Sequence, residues 1–145
     1  YQRLMLHDML HKQPVSNFMR SEPMTVPSSL TIREWVEDHV YRHHFKMFPV
    51  VDDATLSGAV TNDDIREIPK ENWDKVMVRD VMKPCSDDNT IAAHMEMEKL
   101  LTAMMHPGKQ TRYMVVDGER LVGVIALKDV LELVALKMEI ERPVQ

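Results

Sequence analysis

The sequence predicts an α+β fold, an α/β sandwich in which two copies of a strand-helix-strand-strand-helix unit pack with pseudo-two-fold symmetry. Three observations carry that expectation. Short valine-rich runs alternate with segments whose apolar residues recur near the helical period of about 3.6. One block of residues is repeated in register in the two halves. The 145 residues, 44% of them hydrophobic, suffice for one domain or for two small ones sharing a core.

Tyr1 to Lys12 places Leu4, Met5, Met9 and Leu10 near a helical period and is stopped by Pro14. Residues 1–14 are therefore read as a leading helix and link from a preceding domain. Pro23 and Pro27 bracket Met24, Thr25 and Val26, which must be extended because the residue before proline avoids helix. A helix follows over Thr31 to Tyr41, with Ser28 or Ser29 as its cap and Ile32, Trp35, Val36 and Val40 on one face. Met47–Val51 and Leu56–Val60 read as paired strands, and Thr61, Asn62, Asp63 and Asp64 can cap a short helix over Ile65 to Ile68. Pro69 ends it. Residues 70–79 are polar and read as a linker, with Trp73 packing between the two copies.

The order then recurs: Val81, Met82 and Pro84, a helix over Ile91 to Met105, strands Tyr113–Val116 and Leu121–Ile125, and a closing helix from Lys128 to about Glu141. Val50, Val51, Asp52, Leu56, Gly58, Val60 and Asp64 match Val115, Val116, Asp117, Leu121, Gly123, Ile125 and Asp129, every pair 65 residues apart. Phe18, Met19 and Pro23 match Val81, Met82 and Pro84 more loosely. The copies are bounded at 15–69 and 80–141, leaving 142–145 as a tail. Units this small cannot cover both faces of their sheets singly, so pairing and a shared cleft are expected.

The bulk numbers exclude several functions. A net charge of −5 supplies no excess of cations for a phosphodiester backbone, so nucleic acid is not expected as a partner. The single Cys85 makes neither an internal disulfide nor a zinc cluster, fits a reducing compartment, and reads as an ordinary thiol. Apolar runs such as Leu121 to Leu127 fall short of the ~20 residues of a membrane span, so a soluble piece is expected. No nucleophile and base pair, phosphate loop or metal constellation is present, which predicts no catalytic residues in this chain. His7 and His11 share a helical face in a near miss to His-Glu-x-x-His, but no third ligand is evident, and a solvated face is expected instead of a metal site. The 13 methionines read as adaptable core filler.

Phe18-Met19, Met24-Thr25-Val26, Phe48-Pro49-Val50-Val51-Asp52 and Gly58-Ala59-Val60-Thr61-Asn62-Asp63-Asp64, with their second copies through Gly123 and Asp129, resemble tandem CBS domains. The resemblance implies a regulatory pair that binds AMP, ADP, ATP or S-adenosylmethionine between modules and often forms homodimers. It implies ligand contacts from Thr25, Val26, Lys46, Phe48, Pro49, Gly58, Thr61, Asp64, Arg112, Gly123 and Asp129. Thr61 and Asp64 could instead simply cap a helix. Ala126 replaces the expected hydroxyl of the second copy, and Met114 stands where the first has Pro49. The cluster Arg42, His43, His44 and Lys46 reads either as a phosphate site or as a solvated helix end complementing the dipole. A ligand-free scaffold or dimerisation module is the alternative reading.

A narrower resemblance joins Tyr1 to Leu6 and Tyr41 to Val51 to the cytosolic tails of site-2-protease-like membrane zinc metalloproteases. It implies a location at the cytosolic face of a membrane, an attached protease domain outside this sequence, and a chain that does not start at methionine because it continues another domain.

Overall fold

This computed structural model describes the backbone of residues 2–141 and the side chains of residues 5–141. Tyr1, the tail 142–145 and the expected apolar side chain of Leu4 lie outside the described residues. In chain order the elements are α1 (Gln2–Leu10), β1 (Arg20–Ser21), α2 (Ile32–Trp35), α3 (Tyr41–His43), β2 (Met47–Asp52), β3 (Thr55–Thr61), α4 (Val78–Val81), β4 (Lys83–Pro84), β5 (Thr90–Ala92), α5 (Met97–Met104), β6 (Arg112–Asp117), β7 (Arg120–Ala126) and α6 (Leu127–Glu141). The architecture is α+β, as expected. No helix among the described residues is long and apolar enough to cross a membrane.

Two compact units form, one from Tyr1–Glu22 with Asp88–Gln145 and the other from Pro23–Asp87. They interleave with the sequence copies because each β-hairpin takes its next strand from the segment that opens the other copy. β1 pairs antiparallel with β7 through Arg20↔Val124 and Ser21↔Gly123. β4 pairs antiparallel with β3 through Pro84↔Gly58 and Lys83↔Ala59, the same register displaced by 65 on the hairpin. Ser21, rather than the expected Pro23, is thus the counterpart of Pro84. The hairpins even share an irregularity, a bulge at Val50/Val51 in one and at Val115/Val116 in the other.

In the first unit the sheet runs β1-β7-β6-β5, with β5 parallel to β6. Leu10, Val15, Phe18, Met97, Leu100, Met104, Val115, Ile125 and Val130 lie in its core, so Met97 and Met104 are packing residues, whereas Met105 is exposed. The helix expected over Ile91 to Met105 is corrected: Thr90–Ala92 is strand and the helix begins only at Met97. β-branched Thr90 and Ile91 suit the slot beside β6, where the Met114 amide donates to the Asn89 carbonyl at 2.7 Å.

In the second unit the sheet runs β2-β3-β4 over a core of Val26, Ile32, Trp35, Phe48, Val50, Val60 and Val78. The expected helix over 31–41 is present as α2, a π turn at Val36–Val40 and α3, ending where His44 adopts φ 61°. Its cap is Thr31, not Ser28 or Ser29: the Glu34 amide donates to Thr31 Oγ1 at 3.1 Å and the Thr31 amide to Glu34 Oε1 at 2.9 Å. That reciprocal box holds the Glu34 carboxyl below its usual range, chiefly through the Thr31 amide. Ser28 serves Asp52 instead: its amide donates to Asp52 Oδ1 at 2.9 Å and, with its side chain, lowers that carboxyl. Thr31→Ala is therefore expected to cost about 1 kcal/mol by thermal unfolding. Ser29→Ala costing as much would overturn this assignment of the cap.

The helix expected over Ile65 to Ile68 is instead a 3₁₀ turn at Asn62–Ile65. The polar linker is partly structured too, with a 3₁₀ turn at Lys70–Asn72 and α4 burying Val78 completely. Trp73 packs against the core of this unit, its Nε1 donating to the Ile68 carbonyl at 3.3 Å and the Arg33 guanidinium 5.9 Å from its ring.

Candidate functional site

The residues singled out in the sequence fall eight in one unit and three in the other. In the second unit, the isolated parallel bridge Val26↔Val50 brings the extended Thr25-Val26 segment beside β2, which carries Phe48 and Pro49 and begins just after Lys46. Thr25 and Lys46 are exposed. The side chains of Val26 and Phe48 lie in the core: they are 1% and 0% exposed, and Phe48 meets Trp35 edge to face with ring centroids 6.0 Å apart. Pro49 is buried and uses its carbonyl to accept the Val26 amide at 3.0 Å.

Gly58 has a structural duty. A Cβ there would lie 2.2 Å from the Lys83 carbonyl oxygen, so the close approach of β4 to β3 requires the missing side chain. Gly123 does the same in the other unit, where a Cβ would lie 2.8 Å from the Arg20 carbonyl and 2.5 Å from Met19 Sδ.

Thr61 and Asp64 are brought together, and they close on each other. Asp64 Oδ2 accepts from the Thr61 amide at 2.8 Å and from its hydroxyl at 3.2 Å, while Oδ1 forms an ion pair with Lys83. The Asp64 carboxylate is 1% exposed, whereas Lys83 is 71% exposed. This carboxylate is already satisfied within its own unit, in the capping arrangement that competes with a ligand-binding role.

The repeat-related carboxylate is in a different state. Asp129, in the first turn of α6, is 53% exposed and lies 4.0 Å from Arg20 Nη1. Ala126 supplies no hydroxyl to engage it. The carboxylate stands at a recess of about 290 Å³ lined by Phe18, Met19, Val124 and Ile125. Ala126 also lines a second recess of about 520 Å³, where Thr111, Arg112 and Lys128 face apolar Leu127 and Leu131. Arg112 opens β6 and pairs in register with Ala126. Two recesses that share Ala126 thus carry an accessible carboxylate in one and, beside Glu132, two cations in the other, groups that suit the hydroxyls and the anionic tail of a polar ligand.

Arg20 and Lys83 were missed at the sequence level. Each follows a methionine, Met19-Arg20 and Met82-Lys83, and each faces the aspartate of a hairpin. Their spacing of 63 residues was the available signal. The basic cluster is exposed at Arg42, His44 and Lys46, and His43 stacks on Phe45 at 5.9 Å. Cys85 is an exposed edge thiol just past β4, its pKa raised chiefly by partial burial.

A family model described as CBS domain matches residues 15–71 and again 75–136. Among curated proteins, the chain is 24% identical over 121 residues to "Putative zinc metalloprotease Rip3" of Mycobacterium tuberculosis, covering 83% of this chain and 31% of that protein. Among solved structures it is similar to the CBS domain of a bacterial CNNM/CorC family Mg²⁺ transporter in complex with ATP, with a TM-score of 0.74 and 19% identity, covering 92% of this chain and 96% of that one. It is also similar to CBSX2 in complex with AMP, with a TM-score of 0.68 and 23% identity, covering 87% of this chain and 98% of that one. These likenesses establish the fold.

Proposed function

From the premise that this chain belongs to the CBS domain family, we propose that it is a regulatory pair taking an adenosine-type ligand at the Asp129 recess of the first unit. The observation that carries the reading is the accessible Asp129 carboxylate beside an apolar recess, with Arg112 and Lys128 beyond Ala126. Asp129 accepts from the ribose hydroxyls. The base lies against Phe18, Met19 and Val124, and Arg112 takes phosphate oxygens with its planar fork. A volume of about 290 Å³ is near the ~300 Å³ lower end of small-molecule sites. The ATP and AMP complexes of the similar CBS structures support the ligand class.

The similarity to Rip3 supports an attached protease as the regulated domain. Ligand can shift that domain only through different affinities for two conformations. Calorimetry with AMP, ATP and S-adenosylmethionine tests the site. Binding of AMP or ATP is expected, weakened ~10-fold or more in Arg112→Ala, in keeping with loss of a charge-assisted pair worth about 1.5–3 kcal/mol. In a polypeptide carrying the protease domain, AMP is expected to change the cleavage rate of the unaltered protein far more than that of the variant. Heat from none of the three ligands would favour the ligand-free scaffold.

A further inference from the structure

We propose that His7, His11 and Glu98 form a binding site for one divalent transition-metal ion of the zinc class. The inference is independent of the nucleotide reading. His7 lies in the last turn of α1, and the His11 amide donates to the His7 carbonyl at 2.7 Å, so the helical spacing continues through His11. Residues four apart share a helix face, and the two imidazole rings stand 4.8 Å apart between centroids. Glu98, in the first turn of α5, reaches the same face: its Oε2 lies 2.6 Å from His7 Nδ1. One donor atom from each residue falls within 4.8 Å of the others.

The approach of the two segments is fixed by the backbone rather than by these side chains. The Met97 amide donates to the Gln13 carbonyl at 2.8 Å, and the Val15 amide to the Met95 carbonyl at 2.8 Å. Leu10 and Met97, the chain neighbours of His11 and Glu98, are fully buried in one core with Val15. The donors are therefore held in place while remaining open to water, His7 at 49% and Glu98 at 38% exposure.

Two imidazoles and one carboxylate are the donor set of an open tetrahedral zinc site, with water as the fourth ligand. At metal–donor bonds of about 2.1 Å, tetrahedral neighbours sit roughly 3.4 Å apart. The donor separations, from 2.6 Å up to 4.8 Å, bracket that value, so small side-chain rotations close the site. Nitrogen donors favour zinc over magnesium or calcium, which take oxygen. A hydrogen bond between His7 and Glu98 would by itself account for two of the residues. It leaves His11 aside, and among the described residues no side-chain hydrogen bond holds His11. The bound ion would tie α1 to α5.

The test uses the whole chain after treatment with a chelator, titrated with zinc chloride by calorimetry and with cobalt chloride by visible absorption. One zinc per chain is expected, with cobalt bands of a tetrahedral centre and a melting temperature raised by several degrees at about a hundredfold excess over Kd. Magnesium chloride should give no shift. His11→Ala and Glu98→Gln, both checked for folding by circular dichroism, are each expected to weaken zinc by at least the ~10-fold that loss of a mere supporting group costs. His43→Ala with His44→Ala should bind as the unaltered chain does. Absence of zinc binding, equal affinity in His11→Ala and Glu98→Gln, or loss only in the His43 and His44 double variant would each overturn the proposal.

Discussion

Gly58→Ala is expected to lower the unfolding free energy by about 3 kcal/mol and the melting temperature by roughly 10 °C. The added methyl would sit 2.2 Å from the carbonyl oxygen of Lys83, a backbone atom that can yield only if β4 moves as a whole. Moving β4 opens its pairs Gly58↔Pro84 and Ala59↔Lys83 and pulls Lys83 away from Asp64. Gly123→Ala meets a softer obstacle. Its closest neighbour at 2.5 Å is the thioether of Met19, which can rotate aside, although the Arg20 carbonyl at 2.8 Å still crowds it. About half the loss is expected there. Chemical denaturation of both variants checks the ranking. Should Gly58→Ala unfold like the unaltered protein and lose only nucleotide binding, the glycine would serve the ligand and not the approach of the strands.

Those glycines illustrate what the sequence could and could not disclose. The hairpins were legible because alternating apolar residues, a glycine and an acid recur in register, and the paired registers of β2 with β3 and of β6 with β7 repeat that spacing. The strand β5 was not legible. Ile91 and Met95, four apart, fit a helical face, and only the vacant side of β6 decides for strand. The cap was misplaced because Ser28, Ser29 and Thr31 are all good capping types, and the reciprocal partner Glu34 alone tells them apart. At the candidate site the residue types were readable but their surroundings were not. Nothing in the string reveals that Phe48 points into a cluster with Trp35, or that Asp64 meets a cation 19 residues on. Glu98 lies 91 residues from His7, beyond the reach of any local pattern.

The two repeat-related aspartates should give opposite results when each is changed to asparagine. Asp64→Asn is expected to cost about 1–3 kcal/mol of stability, because a carboxylate that is 1% exposed loses charge-assisted bonds from the Thr61 amide and hydroxyl. Lys83 adds little to that figure, since its 71% exposure leaves the ion pair screened by solvent. Asp129→Asn should change stability by less than about 0.5 kcal/mol, its carboxylate being 53% exposed and 4.0 Å from Arg20. Affinity for AMP should divide the other way: nearly unchanged in Asp64→Asn and reduced ~10-fold or more in Asp129→Asn, where the group meant for the ribose hydroxyls is lost. Melting curves and calorimetry on the same two proteins read both quantities. An Asp64→Asn protein that stays stable but loses AMP would move the ligand to Thr61 and Asp64. The crossed pattern would mean that one inherited position caps a turn in the first copy and meets the ligand in the second.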